Sequence, residues 1–283
     1  MKNKTINRGI LGNAHRLVWI FDVDGVITNP VEKKITEKGL IEAISGKLDK
    51  GDVVTLNTGR SISWMIDRVI RSIEKTVANK DSLDRFLAVG EKGGAWLFLQ
   101  NGQWKIHVDE KISLPKHLQD EVKELINTEF KDCMFYDDSK LTMISTEMID
   151  GHSMSEYAQK QQVLTDRMKL ILLKPEYYKL NLKIDPTTIA TDIQNSHVGK
   201  HFGARRITDW LIEKGIRPIK IIAIGDSQSD IEMAEELQAE FDLEFVFVGD
   251  GSKLKSDSLN KTPTFTNSHF GEGTLEYLLK TSN

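Results

Sequence analysis

Short, uninterrupted runs of apolar residues alternate along the chain with longer segments whose apolar residues recur at helical spacing. The apolar runs lie at 17–21, 52–56, 86–89, 219–224 and 245–248, and the helical patterns at 36–48, 61–73, 202–214 and 231–237. Continuous apolar runs are typical of strands that are buried on both faces of a parallel sheet. Strands that alternate with helices predict an α/β fold, in which ligands bind at the carboxyl ends of the strands.

The pattern changes in the middle of the chain. A hairpin is predicted at 95–108, with its turn at Asn101-Gly102. Beyond it the sequence predicts a helix at 118–130, strands at 140–145 and 170–174, and a strand with one solvated face at 177–184. We expect residues 110–192 to form an inserted α+β domain. This insertion would divide a Rossmann-like core with a parallel sheet into residues 1–109 and 193–283.

Composition narrows the class of protein. The 283 residues carry a net charge of −4 and one cysteine, Cys133, which excludes an internal disulfide and a multi-cysteine zinc site. The acidic balance argues against a general nucleic-acid-binding surface. No apolar stretch reaches the roughly 20 residues that span a bilayer, and the apolar run 17–21 is too short for a signal peptide. We expect a cytoplasmic protein with neither nucleic acid nor membrane as a partner, and the sequence does not determine its oligomeric state.

Two carboxylates directly follow the first predicted strand, in the sequence Asp22-Val23-Asp24-Gly25. Their alternation points both side chains the same way, and the glycine permits a tight turn. Carboxylates this close repel one another unless a cation or a shared proton compensates them, and Mg²⁺ is the natural cation for oxygen ligands. One carboxylate could then attack phosphorus while the other serves as acid and base. The alternative interpretation is an exposed polar turn.

Thr58-Gly59 follows the second predicted strand and precedes a helix that Ser61 is expected to cap. A hydroxyl beside free backbone N–H groups at the start of a helix is an anion site. The alternative is a Thr-Gly turn followed by a solvated Arg60. Lys200, ahead of the helix at 202–214, could neutralise a phosphoryl oxygen, although a lone lysine is more often a solvated surface charge.

Gly225-Asp226-Ser227 ends the late apolar run, and Asp230 lies one helical turn further on. Asp226 could complete a metal site, and Asp230 could orient a neighbouring group. N-capping of the next helix by Asp226 or Ser227 would explain the same residues without a metal.

Taken together, these signals resemble the haloacid dehalogenase (HAD) superfamily of phosphatases. The segment FDVDGVIT (21–28) resembles the first motif of that superfamily, LNTGR (56–60) the second, Lys200 the third and GDSQSD (225–230) the fourth. The insertion between the second and third motifs is similar to the C2-type cap of the Cof-like and sugar-phosphate phosphatases. The segments VGEKGGA (89–95) and NSHFGEGTLEYL (267–278) are also similar to that group.

The resemblance implies a role for each matched residue. Asp22 would be the nucleophile that forms an aspartyl-phosphate, and Asp24 would protonate the leaving oxygen and then activate water. Thr58, Gly59 and Lys200 would bind the phosphoryl group. The ligands of Mg²⁺ would be the Asp22 carboxylate, the Asp24 backbone carbonyl and Asp226, with Asp230 behind them near Lys200.

The resulting hypothesis is a magnesium-dependent phosphatase acting on a small phosphorylated metabolite, with a sugar phosphate as the first choice. A phosphomutase of the same fold and a non-catalytic phosphate-binding protein remain alternatives. In the insertion, Lys174, Tyr177, Tyr178 and Lys179 could face a sugar phosphate, but an exposed strand whose tyrosines pack on the insertion itself is the preferred interpretation.

Overall fold

The computed structural model describes residues 15–252 and 254–281. The N-terminal segment that precedes the first strand, in which no signal peptide is expected, lies outside the described residues. Residues 15–108 contain five strands and two longer helices: β1 (His15–Phe21), α1 (Leu40–Asp49), β2 (Val53–Asn57), α2 (residues 62–76), β3 (Phe86–Gly90), β4 (Ala95–Gln100) and β5 (Gln103–Val108).

Residues 116–195 follow as a second group of elements, which we call the small unit. It contains α3 (residues 116–130), β6 (Met134–Tyr136), β7 (Ile144–Met148), α4 (Met154–Leu172), β8 (Leu182–Pro186) and β9 (Ala190–Asn195). The last part of the chain contains α5 (Lys200–Glu213), β10 (Arg217–Gly225), α6 (Gln228–Gln238), β11 (Leu243–Phe247), β12 (Thr264–Phe265) and α7 (Phe270–Lys280).

The strands form two separate sheets. The large sheet has the order β12-β11-β10-β1-β2-β3-β4-β5, and the small sheet has the order β6-β7-β9-β8. From β12 to β3 the large sheet is parallel, and β4 and β5 add an antiparallel hairpin at one edge. Asn101 and Gly102 both have positive φ, as the hairpin signal predicts. The predicted α/β fold with a parallel sheet is confirmed.

Burial on both faces explains why the core strands could be predicted from the sequence. β2 and β3 are buried at every position. Helices α1, α2 and α7 cover one face of the large sheet, and α5 and α6 cover the other. Because both faces are apolar, the strands read as continuous apolar runs. Ser61 caps α2 as expected, since its side chain accepts a hydrogen bond from the Trp64 N–H.

The small unit differs from its prediction in several elements. Residues 170–174, predicted as a strand, contain the end of α4, a helix that the sequence analysis did not predict. Most of α4 is solvent-exposed, and only four of its side chains are buried, so its apolar period is weak. The strand predicted at 140–145 is β7, four residues further on, and the first half of 177–184 is a 3-10 turn before β8. The short strands β6 and β9 were missed.

The small sheet has one apolar and one polar face. Alternate residues of its strands pack against α3 and α4, together with Cys133 and Tyr157. The opposite residues are polar and face the core: Ser145, Glu147, Lys183, Asp185, Asp192 and Gln194. We call this second set the polar face. The division of the chain at residues 109 and 192 stays a prediction; β9 itself continues to Asn195.

Within the described residues, no helix is both long and apolar enough to cross a membrane.

Candidate active site

The loop after β1 places Asp22 at the centre of the large sheet's carboxyl edge. The Asp22 N–H donates to the Ile224 carbonyl of β10, so the loops after β1 and β10 leave the sheet side by side. Gly25 turns the first loop with a φ of 75°. A Cβ atom at this position would lie 1.8 Å from Oδ2 of Asp226. Glycine is therefore required here both by the turn and by the closeness of the second loop.

Lys200 lies between two of the predicted site carboxylates. Its Nζ is 2.6 Å from Oδ2 of Asp22 and 2.5 Å from Oδ1 of Asp230. Lys200 is the first residue of α5, and its carbonyl accepts a hydrogen bond of 2.9 Å from Nδ2 of Asn57, at the end of β2. Burial alone would lower the pKa of Lys200, but Asp22 and Asp230 raise it above its usual value. The ammonium group therefore stays charged.

Asp230 uses both of its carboxylate oxygens within the protein. While Oδ1 accepts from Lys200, Oδ2 accepts from the Ser227 hydroxyl at 2.7 Å and from the N–H groups of Ser227 and Asp226 at 3.1 and 3.2 Å. Ser227 is the N-cap residue of α6, as one interpretation of the sequence held. Because Ser227 and Asp230 provide the cap, the side chain of Asp226 is left available.

Negative charge exceeds positive charge at this edge of the sheet. Asp22, Asp226 and Asp230 each have a carboxylate oxygen within 4.8 Å of the others, with Lys200 as their shared cation. Burial raises the pKa of Asp22 well above its usual value, although Lys200 lowers it. Burial and then the Asp230 carboxylate raise the pKa of Asp226 to about 7. A divalent cation bound by oxygen ligands fits this arrangement, since it would compensate carboxylates that are otherwise costly to ionise.

Asp24 points to a different partner. Its carboxylate receives two hydrogen bonds from Arg60, at 2.7 Å from Nε and 3.2 Å from Nη2. The third nitrogen of the guanidinium, Nη1, is 3.3 Å from Oε1 of Glu147 on the polar face. Burial alone would lower the pKa of Arg60, but Asp24 and Glu147 raise it. Arg60 is thus a partly buried cation shared between the core and the small unit.

Thr58 and Gly59 line the neighbouring loop after β2. Thr58 is buried, and its hydroxyl accepts a hydrogen bond from the Arg60 N–H at 3.3 Å. The Gly59 carbonyl accepts a hydrogen bond of 2.7 Å from Lys140 of the small unit. This loop therefore touches both the Asp24 side of the site and the small unit.

The structure thus brings Asp22, Lys200, Asp226 and Asp230 into one cluster. Asp24, Thr58 and Gly59 lie next to it in loops joined through Arg60. Sequence reasoning treated Arg60 as solvated and missed Lys140 and Glu147. Arg60 had a usable signal, because it directly follows Thr58-Gly59. Lys140 and Glu147 had none, since only the tertiary fold brings them near.

A second set of ion pairs connects the core to the polar face. Lys92, in the turn after β3, lies 2.8 Å from Asp185 and 3.5 Å from Asp192. Glu91, which precedes it, is fully buried and accepts hydrogen bonds from the N–H groups of Leu141 and Thr142 and from the Thr142 hydroxyl. Polar contacts therefore hold the polar face against the carboxyl edge of the large sheet.

The four residues considered as substrate contacts lie elsewhere. Lys174 forms an ion pair with Glu121 of α3. Tyr177 is buried, stacks on His117 and donates to the same glutamate. Tyr178 and Lys179 are exposed. Tyr177 therefore belongs to the packing of the small unit, as one interpretation held. The four residues lie beside the helices of the small unit and not on the polar face.

Comparison of the whole chain with known proteins shows similarity in structure rather than in sequence. No protein-family model matches the sequence, and no curated protein is detectably similar to it. The C-terminal domain of Candida albicans trehalose-6-phosphate phosphatase superposes on 93% of this chain and 91% of its own, with a TM-score of 0.62 and 15% identity. A haloacid dehalogenase-like hydrolase from Bacteroides thetaiotaomicron matches over 94% and 99%, with a TM-score of 0.62 and 12% identity.

A Thermoplasma acidophilum protein superposes equally completely, over 94% of this chain and 98% of its own, with a TM-score of 0.61 and 14% identity. Each match includes the small unit as well as the core, because the coverage is nearly complete. The chain therefore has the fold of the haloacid dehalogenase-like hydrolases, as the sequence motifs indicated.

Proposed function

We propose that the protein is a magnesium-dependent phosphomonoester hydrolase that forms an aspartyl-phosphate on Asp22. The observation that carries this proposal is the cluster in which Lys200 joins Asp22 to Asp230 while Asp226 stays available beside them. Solved structures of the same fold include phosphatases, among them the one named trehalose-6-phosphate phosphatase. Because their sequence identity to this chain is low, these structures support the fold alone. The proposed activity rests on the site residues of this chain.

The reaction follows from the positions of two carboxylates. An oxygen of Asp22 attacks phosphorus, the bond from phosphorus to the ester oxygen breaks, and Asp24 gives its proton to the leaving oxygen. Water then attacks the phosphorus of the aspartyl-phosphate and gives a proton back to Asp24, which releases inorganic phosphate and restores Asp22. Lys200, the Thr58 hydroxyl and the Gly59 N–H stabilise the negative charge on the phosphoryl oxygens, since the Thr58 N–H already donates to the Val89 carbonyl.

Mg²⁺ would be held by the Asp22 carboxylate, the Asp24 carbonyl and Asp226, where it would offset negative charge on the phosphoryl group and its ligands. Asp230 would position Lys200. In this proposal the small unit acts as a cap, and the leaving group lies between the loops of the core and the polar face.

The charge balance of the polar face favours a neutral, hydroxyl-rich leaving group such as a sugar. Two of the cations near this junction are already paired with carboxylates, Arg60 with Asp24 and Glu147 and Lys92 with Asp185 and Asp192, and Lys183 donates to the Val198 carbonyl. A phosphomutase must hold a second phosphate there, which would compete with these carboxylates. The complete set of Asp22, Asp24, Lys200 and Asp226 argues against a non-catalytic binding protein.

The test is phosphate release from a panel of sugar phosphates and from p-nitrophenyl phosphate. We expect Mg²⁺-dependent hydrolysis that is lost after EDTA treatment and restored by Mg²⁺. Isomerised sugar phosphate without phosphate release would instead indicate a mutase. Activity that survives thorough EDTA treatment would show that the metal assignment is wrong.

A further inference from the structure

Arg60 makes contacts that the reaction above does not use. Its side chain is 13% exposed and lies over the Trp64 ring, with its carbon Cζ 4.8 Å from the ring centre. Two of its nitrogens bind Asp24 and the third binds Glu147, so every nitrogen of the guanidinium faces a carboxylate. A planar guanidinium that binds a carboxylate through two nitrogens fixes the orientation of that carboxylate.

Glu147 is buried and has a second cation besides Arg60. It lies on β7, is 7% exposed and has Lys33 as a second cation, 4.0 Å away. Breaking a buried ion pair leaves an uncompensated buried charge, so such pairs tolerate little displacement. The contact with Glu147 therefore removes the rotation that the guanidinium would keep if Asp24 were its one anionic partner.

We infer that Arg60 is a positioning residue that links the orientation of the Asp24 carboxylate to the seating of the small unit, through Glu147. This inference rests on the proposed function, because it concerns the residue that moves the proton. The small unit would thus contribute to the reaction itself, in addition to enclosing the substrate. When β7 is seated on the core, Glu147 holds Arg60, and Arg60 fixes the orientation of the Asp24 carboxylate.

Two aryl esters separate this effect from substrate recognition. Phenyl phosphate and p-nitrophenyl phosphate have similar size and no sugar hydroxyls, but phenol is the poorer leaving group and depends more on proton donation. Proton donation contributes about 10²–10⁴-fold to such reactions, so misplacing Asp24 slows phenyl phosphate more than p-nitrophenyl phosphate. Asp24→Asn is the positive control and should raise the kcat ratio of p-nitrophenyl to phenyl phosphate the most.

For Glu147→Ala we expect that kcat ratio to rise about 10-fold, with a nearly constant KM for p-nitrophenyl phosphate. Glu147→Gln keeps an oxygen that can accept from Nη1 and should restore most of the wild-type ratio. Arg60→Lys breaks the two-nitrogen contact from the core side and should raise the ratio as well. In the double variant, Arg60→Lys should raise the kcat ratio little beyond the value of Glu147→Ala, because both changes act through one contact.

Asp150→Ala is the matched control. Asp150 also joins the two parts of the molecule, through Lys33 at 2.7 Å, but it is exposed and interacts with Arg60 through space alone, without a hydrogen bond. Its loss should leave the ratio unchanged. Equal slowing of both esters in Glu147→Ala, or a rise in Asp150→Ala of the same size, would overturn the inference while leaving the proposed function intact. A wild-type chain that hydrolyses neither ester with Mg²⁺ would overturn the proposed function itself.

Discussion

The carboxyl edge of the large sheet and the polar face of the small sheet face each other, and both carry several carboxylates. At the sheet edge three carboxylates cluster beside one cation, Lys200, which pairs with two of them, and the pKa values of Asp22 and Asp226 are raised. On the polar face Glu147, Asp185 and Asp192 each have a cationic partner from the core. The uncompensated negative charge at the sheet edge therefore favours binding of a metal ion and the proposed phosphoryl transfer. The balanced charge on the polar face favours docking of the small unit and recognition of a neutral group.

Replacing Asp22, the proposed nucleophile, should have the largest effect on activity. We expect Asp22→Asn to lower kcat at least about 10⁴-fold for every ester, because an amide is a very poor nucleophile toward phosphorus. Phosphate release and mass spectrometry of the trapped phosphoprotein measure the loss. Retention of substantial turnover by a correctly folded variant would assign the nucleophile to another residue.

Removing the shared cation should come next. Lys200→Met should lower kcat/KM by about 10²–10³-fold and by a similar factor for all phosphoesters, because each presents the same phosphoryl group. Two buried carboxylates would also lose their partner, which costs about 3–5 kcal/mol of folding stability when an ion pair is broken in this way. Kinetics and urea unfolding check both effects. A loss limited to one substrate would contradict the assignment.

Asp226→Asn should lower activity by weakening metal binding. We expect Mg²⁺ affinity to fall by about 10–100-fold, while the fold is retained because Ser227 and Asp230 still cap α6. The loss of Mg²⁺ affinity is measured by the Mg²⁺ concentration that gives half-maximal activity and by calorimetric titration with Mg²⁺. Unchanged Mg²⁺ dependence would remove Asp226 from the ligand set.

The smallest effect is expected on the polar face. Oε1 of Gln194 is buried without a hydrogen-bond partner in the part of the chain that the structure describes. Gln194→Leu should change the ranking of sugar phosphates by about 10-fold and leave p-nitrophenyl phosphate nearly unaffected. Lys174→Ala is the control, since Lys174 pairs with Glu121 away from this face. An equal loss for every ester would show that the polar face does not discriminate.

The two regions also differ in how far the sequence predicts them. Asp22 and Asp226 follow apolar strands at adjacent positions of a parallel sheet, so local pattern and topology were enough to bring them together. The polar face consists of alternate residues from three antiparallel strands, β7, β8 and β9, and its contacts cross the chain from Arg60 to Glu147 and from Lys92 to Asp185. No local pattern encodes such contacts. Helix α4 is buried on one side only, so its apolar residues recur too weakly at helical spacing for the helix to be predicted.

The unfolding free energy of the metal-free protein tests the central claim, that charge at the sheet edge is uncompensated without a metal. The pKa of Asp226 is about 7 in the folded chain, against its ordinary 3.8. The folded chain therefore binds more protons than the unfolded chain between these two values, and its stability falls as the pH rises through that window.

In EDTA we therefore expect urea unfolding to give lower stability at pH 7.5 than at pH 5. Mg²⁺ should restore stability at pH 7.5 far more than at pH 5, and Asp226→Asn should reduce both the pH dependence and the Mg²⁺ effect. Equal stability at the two pH values, with no stabilisation by Mg²⁺ at pH 7.5, would contradict the account.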